Sequence, residues 1–441
     1  MKKILSLFLA FTMVMSVLAV APIGVRAVTS EFAGGSGTEK DPYLIENKYQ
    51  LDNVRNNLSA YYKMVNDVEF SESDFLQDGD FYNNGQGWEP IGELKDRELT
   101  FPPNTAGFIG SFDGNGKKIV GLKLNISENT NVKYAGLFCC NNGEIKSLRL
   151  INALITVEST NHTYAGGIVG LNHSGSVINS SVANSTIEAR SSYASATAGG
   201  LVGISKGESI IKCCYNSGNV LSIAGGNSFA GGINGSGGGE VSNCYNTGTV
   251  SSEAKHSAKL GGISGTAEGS VLQCYNIGSI NGSSTQGESY ISLGGISGHI
   301  YGYTIVNNCY YNDSISKGFG YGGELAVKCS SESMKNADTF VGFDFINIWE
   351  LRTDCSYEYP TLKVFNVDNQ EEIAPQVKLG DVNGDGDINI MDATEIQRHI
   401  AQLSTIPEDR LSCADANKDN QVNIMDATQI QRFIAQLIPS L

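Results

Sequence analysis

The feature that most constrains the fold is a unit of about thirty to thirty-three residues that repeats between Ala135 and Asn312. Every unit opens with a short segment of small residues, and a second signature of the form NCYNTG or a variant of it follows. The openings are AGLFCC at Ala135, AGGIVG at Ala165, AGGLVG at Ala198, AGGING at Ala230, LGGISG at Leu260 and LGGISG at Leu293. A fixed period of this length indicates that structural units are stacked.

The composition of the repeats predicts strands. They are rich in Val, Ile, Thr, Ser and Tyr, are broken by Gly and Asn, and show no helical apolar spacing. Short strands separated by tight turns follow from this pattern. The predicted fold class is therefore mainly β: a parallel β-solenoid in which each repeat forms one coil and pairs with its copies above and below at about 4.8 Å.

Alignment of the repeats predicts the direction of the side chains. Two columns are apolar or small and are expected inside the solenoid. They are Ile145, Ile178, Ile211, Val241, Val271 and Val306, and then Leu148, Ser181, Cys214, Cys244, Cys274 and Cys309. The next column is expected to face outward because it contains an arginine. It comprises Arg149, Val182, Tyr215, Tyr245, Tyr275 and Tyr310.

Two of these columns each have two interpretations. We interpret the stacked cysteines as a buried ladder of small apolar side chains, with disulfides between coils as the alternative. The four tyrosines are a candidate ladder for stacking sugar rings, and cross-strand packing is the alternative.

The N-terminus has the features of an export signal. Lys2 and Lys3 precede an apolar stretch from residue 4 to residue 20, and Val25-Arg26-Ala27 provides a cleavage site. We expect residues 1–27 to be a signal peptide, with a single-span anchor as the alternative, and the mature protein to be extracellular without a membrane span. A net charge of −16 argues against nucleic acid as a partner, and calcium is a more compatible one.

The rest of the chain divides by composition into four parts. Residues 28–134 are expected to form an N-terminal cap and the first β-rich coils, with a short helix near residues 50–58. Residues 135–365 hold the repeats and closing strands around Trp349. Residues 366–378 form a linker, and residues 379–441 form a C-terminal domain.

The segments GTEKDPYLIENKYQLDNVRNNLSAYYKMVNDVEF, FDGNGKKIVGL, AGGIVG, NCYNTG and YPTLKVF carry a family resemblance. Together they resemble secreted bacterial proteins with GLUG-type repeats, which occur in adhesin-like surface proteins and in accessory regions of some immunoglobulin-cleaving metallopeptidases. The resemblance covers most of residues 36–365, implies a β-solenoid and leaves its activity open. A catalytic metallopeptidase is rejected because none of the five histidines stands in an HExxH motif.

The C-terminal domain contains two copies of a unit formed by an acidic loop and a helix. DVNGDGDINIMDATEIQRHIAQL begins at Asp381, and DANKDNQVNIMDATQIQRFIAQL begins at Asp415. Both copies have the oxygen spacing of a calcium loop, so we expect two calcium ions. The candidate ligands are Asp381, Asn383, Asp385, Asp387, Asn389 and Asp392 in the first copy and Asp415, Asn417, Asp419, Gln421, Asn423 and Asp426 in the second. The helices are expected to bury one stripe each, formed by Ile396, Ile400 and Leu403 and by Ile430, Ile434 and Leu437.

These loops lack the entering helix and the final glutamate of an EF-hand. In both respects the duplicated loop-helix unit resembles the dockerin family. The resemblance covers about residues 379–437 and implies calcium-dependent docking to a cohesin module of a scaffoldin or cell-surface protein. By position in the motif, it implies that cohesin is recognised by Ile390, Met391, Gln397, Arg398 and Gln402 and by Ile424, Met425, Gln431, Arg432 and Gln436. Near two-fold symmetry would offer two equivalent docking faces, and the alternative is that the Ile-Met pairs belong to the core.

These observations predict a secreted accessory component of a cellulosome-like complex, whose solenoid serves adhesion or carbohydrate binding in polysaccharide degradation. A glycan-cleaving enzyme, either a glycoside hydrolase or a polysaccharide lyase, and a structural spacer are the alternatives. Whether the chain is an enzyme stays open, because the repeats show no pair of carboxylates spaced as an acid and a base. The recurring acids Glu144, Glu208, Glu240 and Glu268 are interpreted as solvated turn residues.

Overall fold

A computed structural model describes residues 31–92, 107–128, 132–323, 325–352, 357–365, 379–383, 388–406, 410–419, 421–435 and 437–438. The expected signal peptide and the expected linker at 366–378 lie outside these residues. The described chain is mainly β and forms a parallel solenoid, with a small helical region at the C-terminus. The predicted fold class is confirmed.

The solenoid consists of five parallel sheets, to which the central coils contribute one strand each. We number the sheets in the order in which the chain visits them. Sheet 1 comprises Tyr43–Ile45, Tyr61–Met64, Ser111–Asp113, Glu144–Lys146, Ser176–Ile178, Ile210–Lys212, Glu240–Ser242, Ser270–Leu272 and Ile305–Asn307. Sheet 2 comprises Val68–Glu69, Lys118–Val120, Arg149–Ile151, Ser181–Ala183, Tyr215–Asn216, Tyr245–Asn246, Tyr275–Asn276, Tyr310–Asn312 and Val327–Cys329.

The other three sheets complete the coil. Sheet 3 comprises Lys123–Glu128, Leu154–Ser159, Thr186–Ser191, Asn219–Ala224, Val250–Ala254 and Ile280–Ser284. Sheet 4 comprises Lys133–Ala135, Thr163–Gly166, Ala196–Gly199, Ser228–Gly231, Ala258–Gly261 and Ile291–Gly294. Sheet 5 comprises Phe138–Asn141, Val169–His173, Val202–Lys206, Asn234–Gly237, Ser264–Ala267, Ser297–Ile300 and Phe319–Tyr321.

Short helices and two further strands lie outside the five sheets. The helix expected near residue 50 is present as α1 (Lys48–Asp52), followed by a 3-10 turn at Asn53–Asn56. Trp349–Glu350 pairs antiparallel with Thr361–Leu362. The other 3-10 turns are Glu72–Phe75, Asn83–Gly85, Glu288–Tyr290, Ser333–Lys335, Ala337–Thr339 and Lys363–Phe365, and the C-terminal helices are α2 (Ile390–Ile400), α3 (Leu411–Ala414) and α4 (Ile424–Ile434).

The cysteine column lies inside the solenoid, as predicted. Cys214, Cys244, Cys274 and Cys309 are buried in the solenoid core as free thiols. Each thiol donates to a backbone carbonyl two residues earlier, as Cys214 does to Lys212 across 3.2 Å. The interpretation as a ladder of small apolar side chains fits this arrangement.

The predicted columns are wrong by one residue in the second repeat. Arg149 lies opposite Ser181, and Ser181 lies opposite Tyr215, so Ser181 belongs to the outward column. The interior is filled instead by Val177 and Val182, both buried. The sequence alone did not show the one-residue error in the alignment, because apolar residues stand at neighbouring positions. Strand pairing determines the alignment, because a shift of one residue turns every side chain of a strand to the opposite face.

The second glycine of three openings, at Gly200, Gly232 and Gly262, lies against a buried asparagine ladder. Asn216 donates to Asn246, and Asn246 donates to Asn276, each across 2.8 Å. A Cβ on Gly232 would lie 2.3 Å from Cγ of Asn246 and 2.2 Å from the carbonyl oxygen of Gly262. Because glycine has no side chain, it leaves room for the asparagine ladder. The asparagines can then hydrogen-bond to one another inside the solenoid.

Candidate functional site

The tyrosine column points away from the solenoid core but is covered, so the expectation of an exposed ladder is wrong. Tyr215, Tyr245, Tyr275 and Tyr310 are each at most 3% exposed and form a second hydrophobic cluster outside the coil interior. The rings do stack along the axis, at 5.1 Å from Tyr215 to Tyr245 and 5.1 Å from Tyr245 to Tyr275. Because no ring face is open to solvent, these tyrosines are not a sugar-binding platform.

The cover is the closing segment, which we define as residues 330–352 and 357–365. Trp349 lies against Tyr245 and Tyr275, with ring centroids 6.0 and 5.8 Å apart. The Tyr275 hydroxyl donates to the carbonyl oxygen of Pro360 across 2.6 Å, and the Tyr310 hydroxyl donates to that of Val341 across 3.0 Å. The two strands expected around Trp349 thus pack on the side of sheet 2 and make the tyrosines part of a core.

The acids of the repeats show no sign of acid catalysis. Burial alone would raise the pKa of Glu144, but hydrogen bonds from Lys146 and Ser111 lower it below its ordinary value. Glu240 accepts a hydrogen bond of 2.6 Å from Ser242. A general acid needs a raised pKa at neutral pH, so Glu144 does not fit that role. Glu144 and Glu240 begin strands of sheet 1, so the predicted turn position is wrong for them, whereas Glu208 and Glu268 lie between strands as predicted.

The C-terminal helices enclose a small core of their own. Ala393 and Ile396 of α2 pack against Ala427 and Ile430 of α4 in a buried cluster, which also holds Val382, Ile406, Ala414 and Ala416. Small alanines at the crossing allow the two helices to approach closely. This core places the two loop-helix copies side by side.

In the first loop, Asp392 fastens the end of the loop to its beginning. Its Oδ1 accepts from the backbone nitrogens of Val382 and Asn383 at 2.8 and 3.1 Å, and its Oδ2 accepts from Asn389 at 2.8 Å. Asp392 is fully buried, and Asp381 is nearly so. Asp385 and Asp387 lie outside the described residues.

The second loop repeats this arrangement around Asp426, which is also fully buried. Asp426 accepts from the backbone nitrogens of Asn417 and Asn423, at 3.1 and 2.8 Å. The backbone nitrogen of Asp419 donates to Oδ1 of both Asp415 and Asn417 across 2.9 Å, so these two oxygens converge inside the loop. Gln421 donates its backbone N–H to Asp419 across 2.9 Å.

The chemistry of these oxygens fits calcium. Calcium takes six to eight oxygen ligands, a mixture of carboxylate, amide and backbone carbonyl oxygens among them. Across the described residues, no three His, Cys, Asp or Glu side chains form a metal-holding group by themselves. The described side-chain donors of the two loops are carboxylate and amide oxygens, which belong to that mixture.

Both helices start with the same cap. Asn389 and Asn423 each accept a hydrogen bond of 2.8 Å from the backbone nitrogen two residues on. Asp392 and Asp426 in turn accept a hydrogen bond from the backbone nitrogen of the cap residue, which completes a capping box at each helix. The two copies thus agree in backbone conformation as well as in sequence.

The predicted docking residues lie on the surface. Ile390, Met391, Ile424 and Met425 are between 53% and 59% exposed, so the alternative that they belong to the core is wrong. The described polar members of both sets are also exposed: Gln397, Arg398, Gln402, Gln431 and Arg432. Gln436 lies outside the described residues.

The expected buried stripes are only partly present. Ile396 and Ile430 are buried, but Ile400 and Ile434 are exposed, and Leu403 and Leu437 are more exposed still. The reason is that α2 and α4 are the two long helices among the described residues of the domain, so each packs on its partner through little more than its central turn. Apolar spacing predicted the helices correctly but overestimated how much of each one the fold covers.

Comparison with known proteins gives separate results for the two parts of the chain. Residues 379–435 match the model of the dockerin type I domain. A putative Gly-rich membrane protein of Evansella cellulosilytica is 37% identical over 152 residues, which is 34% of this chain and 15% of that protein. Halomucin of Haloquadratum walsbyi is 30% identical over 125 residues, 28% of this chain and 1% of that protein.

A solved structure resembles the fold over most of the chain. The crystal structure of a putative immunoglobulin A1 protease from Bacteroides ovatus matches with a TM-score of 0.55 at 21% identity, covering 76% of this chain and 96% of that one. At this identity the match concerns the fold alone. Within the described residues, no helix has the length and hydropathy to cross a membrane.

Proposed function

We propose that the protein is a secreted accessory component of a cellulosome-like assembly, to which its C-terminal dockerin attaches it. The observation that carries this proposal is the duplicated surface patch, in which the same apolar pair and the same Gln-Arg pair are exposed on two equivalent helices. Monomeric proteins do not usually expose such a patch twice without a partner. A cohesin module is the partner that the matched domain family implies.

Calcium is proposed to hold the docking faces in place, with one ion in each loop. In the first copy the ligands are Asp381, Asn383, Asp385, Asp387, Asn389 and Asp392. In the second copy they are Asp415, Asn417, Asp419, Gln421, Asn423 and Asp426. Several carboxylates in a short loop repel one another, so a bound cation stabilises the loop and the helix that starts from it.

Either docking face is proposed to bind the same cohesin. The first face comprises Ile390, Met391, Gln397, Arg398 and Gln402, and the second comprises Ile424, Met425, Gln431, Arg432 and Gln436. The residue types are identical at all five positions, and the described members of both faces are exposed. A cohesin would thus be bound in either of two orientations related by a half-turn.

The solenoid is proposed to present a ligand-binding surface rather than an active site. The pKa of Glu144 is lowered, Glu240 accepts a hydrogen bond from Ser242, and the tyrosine column is core. A role in adhesion or carbohydrate binding therefore has to rest on another part of its surface.

The test is calorimetric titration of the full chain with a panel of purified type I cohesins, in calcium and in EDTA. Met391→Ala with Arg398→Ala removes one face, Met425→Ala with Arg432→Ala removes the other, and a fourfold variant removes both. We expect calcium-dependent binding at one cohesin per chain, retained within about tenfold by either single-face variant and weakened by ~100-fold or more when both faces are changed. Equal binding in EDTA, or no binding to any cohesin, would contradict the proposal.

A further inference from the structure

A group of aromatic side chains, two exposed and two half-buried, lies at the C-terminal end of sheet 5, far in sequence from the dockerin. We call His299, Tyr301, Tyr303 and Tyr321 the aromatic cluster. The His299 ring stacks on Tyr321 at 4.8 Å and 12°, and it lies 4.7 Å from Tyr301, which stacks on Tyr303 at 6.2 Å. Four rings thus form one continuous surface.

This surface is open, in contrast to the tyrosine column of sheet 2. Tyr303 is 67% exposed and Tyr321 is 66% exposed. His299 lies opposite Tyr321 in the last pair of strands that the described residues contribute to sheet 5. One side of the Tyr321 ring therefore contacts His299, while the ring as a whole stays accessible.

The backbone holds the cluster in place. Tyr301 donates its N–H to Ala267 of the preceding coil across 3.3 Å, and Thr304 donates its hydroxyl to the same carbonyl across 2.7 Å. Thr304 also closes the turn by donating its N–H to the carbonyl of Tyr301 across 2.9 Å. A ligand would meet rings that are already ordered, which lowers the entropic cost of binding.

Polar groups surround the rings. Thr266 lies beside His299 in the neighbouring strand, and its hydroxyl is 2.7 Å from that of Ser236. Burial and the nearby Lys259 lower the pKa of His299, so at neutral pH its imidazole is uncharged and is able both to donate and to accept a hydrogen bond. The phenol groups of the tyrosines have the same double capacity.

We propose that the aromatic cluster is a binding site for a neutral polysaccharide, whose sugar rings stack on Tyr303 and Tyr321. Sugar rings have C–H-rich faces that pack on aromatic rings and hydroxyl edges that need both donors and acceptors, and the cluster offers both. This inference deepens the proposed function, on which it rests, because it names the surface and the ligand of the solenoid.

Charge distinguishes a neutral chain from other occupants. The protein carries a net charge of −16, which repels an anionic polymer. The charged group that acts on the cluster's histidine is Lys259, a cation that disfavours a second cation beside it. An uncharged glycan meets neither penalty.

The experiment is a depletion assay with the full-length protein on insoluble cellulose, mannan and arabinoxylan, with polygalacturonate gel as an anionic comparison. The test variant is Tyr303→Ala with Tyr321→Ala. The matched control is Tyr193→Ala with Tyr290→Ala, which removes two other exposed tyrosines, of 80% and 49% exposure. Both variants keep the hydrophobic core intact, so equal melting temperatures are expected.

We expect the wild type and the control to bind at least one of the three neutral polysaccharides, the test variant to bind it at least tenfold more weakly, and none to bind polygalacturonate. Equal binding by the test variant, preference for polygalacturonate, or no binding of the wild type to any neutral polysaccharide would overturn the proposal. Cohesin titration of the same samples separates the two ideas. If the wild type binds a cohesin but no neutral polysaccharide, only the proposal for the aromatic cluster fails. If the wild type binds no cohesin, the proposed function is contradicted.

Discussion

The indole Nε1 of Trp349 donates a hydrogen bond of 3.1 Å to the side-chain oxygen of Asn243, and both residues are buried. Asn243 occupies a left-handed corner between sheets 1 and 2, with φ of 50°. Trp349 therefore ties the closing segment to the side of a central coil while its ring packs on Tyr245 and Tyr275. The closing segment is part of the solenoid's core and not a detachable end.

Replacing Trp349 with alanine should consequently destabilise the solenoid. Removal of a buried tryptophan costs about 3–5 kcal/mol in free energy of unfolding, and the lost hydrogen bond leaves the Asn243 side chain without its indole partner. Urea denaturation followed by tyrosine fluorescence measures the change. Ile346→Ala is the matched control, because Ile346 lies in the same segment and is 83% exposed. Equal midpoints for both variants would show that the segment contributes little to stability.

A second prediction concerns the glycine pairs. A Cβ on Gly232 would lie 2.2 Å from the carbonyl oxygen of Gly262, so Gly232→Ala should cost about 1–3 kcal/mol through overpacking. Gly238→Ala is the control, since the heavy atom nearest to its new Cβ, apart from its neighbours in the chain, would be the Cβ of Glu268 at 3.9 Å. Thermal unfolding of the two variants checks this prediction. A melting temperature for Gly232→Ala as high as that of Gly238→Ala would contradict the tight fit.

Much of this fold was predictable because its repeat carries strong periodic information. The thirty-residue period, the small interior cysteines and the strand-rich composition together predicted a parallel solenoid, and the register of Tyr215, Tyr245, Tyr275 and Tyr310 confirms the stacking. The helix near Gln50 was also predicted, and in the structure Asn47 caps it.

What the sequence could not show is which surfaces another part of the chain covers. The outward direction of Tyr245 follows from its column, but its burial depends on Trp349, more than a hundred residues away. Similarly, Ile400 and Leu403 fit a helical apolar stripe, yet both side chains are exposed in the structure. For the same reason the sequence did not show whether the Ile390-Met391 pair is buried or exposed. In the structure both side chains are exposed.

The buried thiols give a prediction about pH. Burial raises the pKa of Cys140 and of Cys213 to about 12, from an ordinary value of 9.0. Between pH 9 and pH 12 the unfolded thiols lose their protons while the folded ones keep them, so these groups lower stability as pH rises through this window and have no effect below it. Melting temperatures of the wild type and of Cys213→Ala, measured from pH 7 to pH 11, should show a smaller alkaline loss for the variant.

Thiol labelling tests the same burial independently. A thiol without solvent access reacts slowly, because the reagent does not reach its sulfur atom. Iodoacetamide at pH 8 should leave Cys214, Cys244, Cys274 and Cys309 unmodified in the native protein and modify all four after denaturation without reductant. Mass spectrometry reads the outcome. Thiols that stay unmodified in denaturant until a reductant is added would instead indicate disulfides between coils.

The final prediction isolates one calcium loop. Asp392→Asn keeps the size of the side chain but removes a charged oxygen from the first loop, while the second loop keeps Asp426. Calorimetric titration of the full chain with calcium should give two ions for the wild type, with one of the two sites weakened by at least about tenfold in the variant, because calcium affinity depends on the charge of its ligands. Glu395→Gln is the matched control: Glu395 lies one turn further along α2, and glutamine already stands at the equivalent position, Gln429. It should bind two ions with unchanged affinity. If Asp392→Asn binds both ions as tightly as Glu395→Gln does, the Asp392 carboxylate serves only to cap the helix, and the first loop has to draw its charge from Asp381 and the acids that follow it.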